Sequence, residues 1–125
     1  MSGTIRINCR VNVVNADAAF DKEALKTNKT FVQTGVGGPS PGRVALTTSD
    51  TVISLAGLTT PGFFSVTNHD PTNYVVIGPT VAGAIAPFIK LLPGMSLPIY
   101  LAAGVVLRGQ ANGGTCICSF DGYEA

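Results

Sequence analysis

The chain has 125 residues, enough for one domain with a real core and too few for two. Its 8 basic and 7 acidic residues make up 12% of the chain, about half the usual share, while 46% is hydrophobic. A net charge of +1 creates no long-range field, which excludes a duplex-binding protein held by counterion release and points to no acid-rich partner.

In chain order, Ile5, Ile7, Cys9, Val11 and Val13 alternate with Arg6, Asn8, Arg10 and Asn12, which predicts a strand with one apolar face. Asn15 to Lys26 is the single helical candidate: Asn15 caps it, Asp17 suits its positive end, and Phe20 meets Ala24 one turn later. Four glycines and two prolines within Gly35 to Gly42 predict an exposed loop or contact arm. Strands are then expected near Thr30–Thr34, Arg43–Thr47, Thr51–Ala56, Phe63–Asn68, Tyr74–Ile77, Ile85–Leu91, Ser96–Leu101, Val105–Arg108 and Thr115–Phe120. The turn signals between them are Pro61-Gly62, Asp70-Pro71, Gly78-Pro79, Pro93-Gly94, Ala103-Gly104, Asn112-Gly113-Gly114 and Asp121-Gly122. With 13 Val, 8 Ile and 13 Thr against 4 Lys and 2 Glu, composition agrees with pattern. The expected fold is all-β: a single antiparallel β-sandwich over residues 1–125, jelly-roll-like, with at most one short helix.

Between Asp70 and Asp121 the only charged residues are Lys90 and Arg108, so this stretch must present long uncharged faces. Contiguous apolar surface of that kind marks an interaction site, and the chain is expected to work as a subunit of an assembly. A membrane reading of the same hydropathy fails on proline. Pro71, Pro79, Pro87, Pro93 and Pro98 cut the region into strand-length pieces. The N-terminus carries no pattern of a secretion signal.

Chemistry-bearing groups are sparse. The single histidine, His69, sits in the turn-like Asn68-His69-Asp70-Pro71, and no serine stands in a nucleophile elbow. The glycine-rich segment has neither the lysine of a phosphate loop nor a following helix. Asp17, Asp21 and Glu23 interleave with Lys22 and Lys26, which reads as a solvated face, not a nucleic-acid footprint. The absence of Trp and a total of three Tyr argue against a platform for stacking sugars. No cofactor or metal is expected. Cys116 and Cys118, two apart on one strand, share a face but lack zinc-knuckle spacing. The thiols are expected to be buried and reduced; the alternative is a bridge from Cys9 to Cys116 or Cys118, should the terminal strands pair.

Leu58-Thr-Thr-Pro-Gly62, Asn68, Asp70-x-Thr72-Asn73-Tyr74-Val75-x-Ile77-Gly78 and Phe88-x-Lys90-Leu91-x-Pro93-Gly94 together resemble a segment of small virion structural proteins of tailed bacteriophages. The resemblance spans roughly Leu55 to Leu101 and consists of turn motifs between consecutive strands. Relatives tend to carry an acidic residue after Pro93-Gly94, where this chain has Met95-Ser96. The resemblance implies no catalytic residue. It implies a non-enzymatic virion protein, made in the host cytoplasm, that decorates or cements the capsid, or else a tail or head–tail connector subunit; a receptor- or glycan-binding module is the reading from another class. Expected partners are the major capsid protein or other virion proteins and further copies of the chain, with neither nucleic acid nor membrane. Arg6, Arg10, Val36, Pro39, Pro41 and Phe63 are the candidate subunit contacts.

Overall fold

A computed structural model describes residues 4–15, 20–32 and 39–125. Eleven strands and no helix occur among them: β1 (Thr4–Asn15), β2 (Phe20–Val32), β3 (Ser40–Leu46), β4 (Thr51–Val52), β5 (Pro61–Asn68), β6 (Val75–Val81), β7 (Ala84–Ile85), β8 (Ile89–Leu91), β9 (Ser96–Tyr100), β10 (Leu107–Ala111) and β11 (Cys116–Glu124). All pairings are antiparallel.

One sheet has the order β3-β11-β5-β9; the other runs β4-β10-β6, with β7 and β8 both on the remaining edge of β6. The chain therefore crosses repeatedly from one sheet to the other, and the last two long strands enter the middle of each. That is jelly-roll connectivity, the expected fold class. Strict alternation makes the inner faces. Along β5 every second residue from Gly62 to Asn68 is buried, and along β11 the same holds for Cys116, Cys118, Phe120 and Gly122. Phe64, Val66 and Phe120 from one sheet and Val75, Ile77, Leu91 and Leu107 from the other belong to a single buried cluster, so the sheets pack face to face.

The expected helix is overturned. Asn15 ends β1, and Phe20 to Lys26 lie in β2, which runs antiparallel to β1 from Asn15↔Phe20 to Thr4↔Val32. A strand with one apolar face needs a partner ladder, whereas a helix here would gain only a Phe20–Ala24 contact, so pairing overrides local propensity. A register shift between Val11 and Asn12 accommodates Ala24 as the extra residue of β2. The result is a two-stranded ribbon.

Three predicted turns lie inside strands: Pro61-Gly62 opens β5, Gly78-Pro79 sits in β6, and Asp121-Gly122 sits in β11. In each the glycine provides close approach instead of a bend. A Cβ on Gly78 would fall on the carbonyl of Ala86, and one on Gly122 would meet the Phe64 ring and the Ser40 carbonyl. The real turn nearby is Ala82-Gly83, both with positive φ (53° and 78°), closing the two-residue β6–β7 hairpin. Ile85–Leu91, expected as one strand, is split into β7 and β8 where Ala86 and Pro87 arch over Gly78. The loop expected at residues 35–42 also needs correction, since Ser40–Gly42 pair with Asp121, Phe120 and Gly122 of β11. Residues 33–38 lie outside the described residues.

Candidate functional site

Among the described residues, every large exposed hydrophobic side chain except Val52 lies between residues 81 and 117. Phe88 leads at 86% exposed; it and Leu92 flank the short strand β8. Of the two charges in that stretch, Arg108 is tied up in a cluster and Lys90 is exposed between Phe88 and Leu92. Arg108 approaches Asp50 at 3.3 Å and donates from Nε to Thr80 Oγ1 at 2.8 Å, while Asp50 Oδ2 accepts from the Ile85 amide at 2.9 Å. Its other oxygen, Oδ1, faces Arg108 without hydrogen-bond geometry. This group clamps the β6–β7 hairpin to β4 and β10. Lys90 lies over the Tyr74 ring, 4.2 Å from its centroid.

The second region is the outer face of the β3-β11-β5-β9 sheet, where alternation turns the polar positions outward. Here His69 Nε2 and Ser119 Oγ are 2.7 Å apart, and Thr67 Oγ1 and Ser96 Oγ 2.9 Å apart. A serine–histidine pair needs an orienting carboxylate and oxyanion donors for acyl transfer. The adjacent Asp70 is engaged elsewhere: its Oδ2 accepts the amides of Asn73 at 2.6 Å and Thr72 at 2.9 Å. Those two bonds, Asn73 first, hold the Asp70 carboxyl below its ordinary value of 3.8. The bonds therefore stabilise the fold above that pH, and the contribution is lost as pH falls through the lower folded value. Replacing Asp70 by Asn is expected to flatten the acid limb of the unfolding midpoint against pH below about 4; an unchanged limb would remove Asp70 from that role.

Toward β9, a cleft of about 300 Å³ lies between β1 and this sheet, lined by Arg6, Ile7, Asn8, Cys9, Phe63, Ser65, Ser96, Leu97 and Pro98. The candidate contacts are thus partly brought together. Arg6 and Phe63 meet at the cleft; Arg10 is exposed further along β1. Pro39 and the half-buried Pro41 stand at the β3 edge, with β11 and β5 between them and β9. Val36 lies outside the described residues. Sequence reasoning missed Ser96, Ser119 and the grouping of aromatic residues beside the cleft, because register alone joins positions 29 to 50 residues apart.

The cysteines are three free thiols. The terminal-strand pairing on which a bridge from Cys9 depended is not formed: β1 pairs with β2, and both edges of β11 are taken by β3 and β5. Cys116 and Cys118 are fully buried, and Cys118 approaches Asn68 Oδ1 at 3.9 Å. Burial pushes the Cys118 thiol up to about 11 and raises Cys116 as well. In the folded protein, iodoacetamide at pH 8 is expected to modify Cys9 alone, with Cys116 and Cys118 reacting only in denaturant. Mass spectrometry of modified peptides gives the answer, and rapid native labelling of Cys118 would contradict this burial.

No group of three or more His, Cys, Asp or Glu side chains able to hold a metal ion occurs among the described residues. No helix among them is long and apolar enough to cross a membrane. The chain matches no protein-family model, no curated protein and no solved structure.

Proposed function

We propose that this chain is a non-enzymatic structural subunit of a virion of the tailed-bacteriophage kind, decorating or cementing the capsid through contacts with the major capsid protein. The observation that carries the reading is the pair of exposed hydrophobic side chains flanking β8, Phe88 and Leu92, with Met95 in the turn that follows, on a domain that already has a buried core. Burying such a surface against a symmetric shell repeats a weak contact many times, and avidity then holds the subunit. The jelly-roll is a common architecture of capsid domains, which is fold-level analogy in support. The ribbon adds to it. Beyond their mutual pairing, β1 and β2 join no other strand among the described residues, so their outer edges offer backbone groups to a neighbouring subunit, a further copy of the chain included. A tail or head–tail connector subunit would use the same surface at low copy number.

Co-sedimentation with purified particles lacking the protein tests the reading. Stoichiometric binding is expected, with loss of about tenfold or more in affinity when Phe88 and Leu92 are both replaced by Asp. Both side chains are exposed, so the fold is expected to survive the change. A copy number in the hundreds fits decoration and a handful fits the tail. Binding indifferent to the double substitution would overturn the assignment of this surface.

A further inference from the structure

Cross-strand register assembles a polar row on the outer face of the β3-β11-β5-β9 sheet. Arg43 on β3 stands opposite Ser119 on β11, Ser119 opposite Thr67 on β5, and Thr67 opposite Ser96 on β9. Residues directly opposite each other share a face, so the four lie side by side across the sheet. His69 joins them from the end of β5. Its amide donates to the Ile117 carbonyl at 2.9 Å, which ties its backbone to β11, and its Nε2 lies 2.7 Å from Ser119 Oγ. Arg43, His69 and Ser96 are exposed, while Ser119 and Thr67 are half-buried. Of these five, Ser96 alone lines the cleft beside β1.

The protons of the row decide what it can bind. The Thr67 and Ser96 oxygens are 2.9 Å apart; with Ser96 donating, the Thr67 hydroxyl keeps its own proton for a further partner. Ser119 does the same when His69 donates to it from Nε2. Ser119 and Thr67 are neighbours on adjacent strands, with Cβ atoms about 5 Å apart, a gap that one tetrahedral oxyanion spans while accepting from both hydroxyls. Arg43, next to Ser119, brings a guanidinium whose fork matches two such oxygens. No carboxylate belongs to the row, but Asp121 stands one row along on the same face, between Pro41 and Ser65, and its charge opposes an anion. We propose that Arg43, His69, Ser119 and Thr67 form a binding site for a phosphate monoester, with Ser96 fixing the Thr67 hydroxyl. Phe88 and Leu92 flank β8 in the other sheet, so this site stands or falls independently of the capsid reading.

His69 is the chain's single histidine, so its ring C–H resonances in proton NMR report on the site without isotope labelling. Titration of the full chain with phosphoserine, at constant pH and ionic strength, is expected to move those resonances along a saturable curve. Arg43→Gln and Ser119→Ala are each expected to weaken binding about tenfold or more. Asp121→Asn is expected to tighten it, an effect that a purely structural role for the row would not produce. Arg43 is exposed, so its replacement is expected to leave the fold intact, and circular dichroism checks the strand spectrum of each variant. Absence of saturation up to about 10 mM would overturn the proposal. Equal shifts with acetate would overturn it too, by showing plain charge attraction without recognition of a tetrahedral group. Binding of inorganic phosphate but not of phosphoserine would mean an adventitious ion only, and an affinity unchanged in Arg43→Gln would likewise count against the site.

Discussion

Replacing Asn68 by Ala is expected to lower unfolding stability by about 3 to 4 kcal/mol, a large part of what a domain of this size possesses. Asn68 is the one fully buried polar side chain among the described residues. Its Nδ2 donates to the carbonyls of Asn73 at 2.9 Å and Leu91 at 3.2 Å, and its Oδ1 accepts the Asp70 amide at 2.9 Å. One amide thus joins the end of β5, the 69–74 turn and β8 in the opposite sheet. Alanine removes these bonds and leaves buried donors and acceptors without partners, each costing about 1 to 3 kcal/mol, partly relieved by local rearrangement. Aspartate is expected to do worse at neutral pH, because a second carboxylate oxygen would face the Asn73 and Leu91 carbonyls. Urea denaturation of the three proteins gives the comparison. An alanine cost below about 1 kcal/mol would show that the side chain is not the tie described.

Gly78→Ala is expected to cost about 3 kcal/mol, the upper end for overpacking, although an alanine is ordinarily benign in a strand. The added methyl would occupy the place of the Ala86 carbonyl, a backbone atom that cannot rotate aside. That segment is held to β6 by the bonds Ala86 N to Pro79 O at 2.9 Å and Phe88 N to Ile77 O at 3.0 Å. Relief of the clash must therefore loosen the 84–91 return, and with it Leu91 and the carbonyl that Asn68 holds. Gly83→Ala provides the contrast: nothing lies within 4 Å of its Cβ, and the cost there is confined to its positive φ of 78°. If Gly78→Ala cost no more than Gly83→Ala, the segment at Ala86 would be shown to yield to the methyl, and crowding would not be the constraint at Gly78.

Much of the fold was legible where one face of a strand is buried and the other is not. The alternation in β1, β5 and β11 can be read directly, and from it the sandwich follows. Glycine was ambiguous: the letter is the same whether it serves a positive φ, as at Gly94 and Gly104 with 74° and 81°, or provides room for a crossing chain, as at Gly78 and Gly122. Pro61-Gly62, Gly78-Pro79 and Asp121-Gly122 therefore read as turns, whereas Ala82-Gly83 carries too weak a signal to mark the hairpin that it forms. β2 was hidden for a different reason. Its residues suit a short helix in isolation, and only the demand of β1 for a partner makes them a strand. At the candidate sites, the scarcity of charge from Asp70 to Asp121 coincides with the exposed hydrophobic side chains from Val81 to Ile117. The cleft was half legible, through Arg6 and Phe63, while Tyr100 and Tyr123 come beside Phe63 through pairings that no local pattern announces.

The positions of β10 and β11 bear on how the protein comes into being. β10 lies between β4 and β6, and β11 between β3 and β5, so the centre of each sheet is supplied by residues 107–124. Until those residues have left the ribosome, β3 and β5 have no common partner, and Phe64 and Val66 lack Phe120 across the cluster. Synthesis from the N-terminus thus cannot build this domain piece by piece; the earlier strands wait as open edges for the strands that join them. Ribosome-stalled chains ending before Leu107 are accordingly the ones that should need chaperone shielding, and chains that have fully exposed Glu124 should acquire protease resistance in a single step.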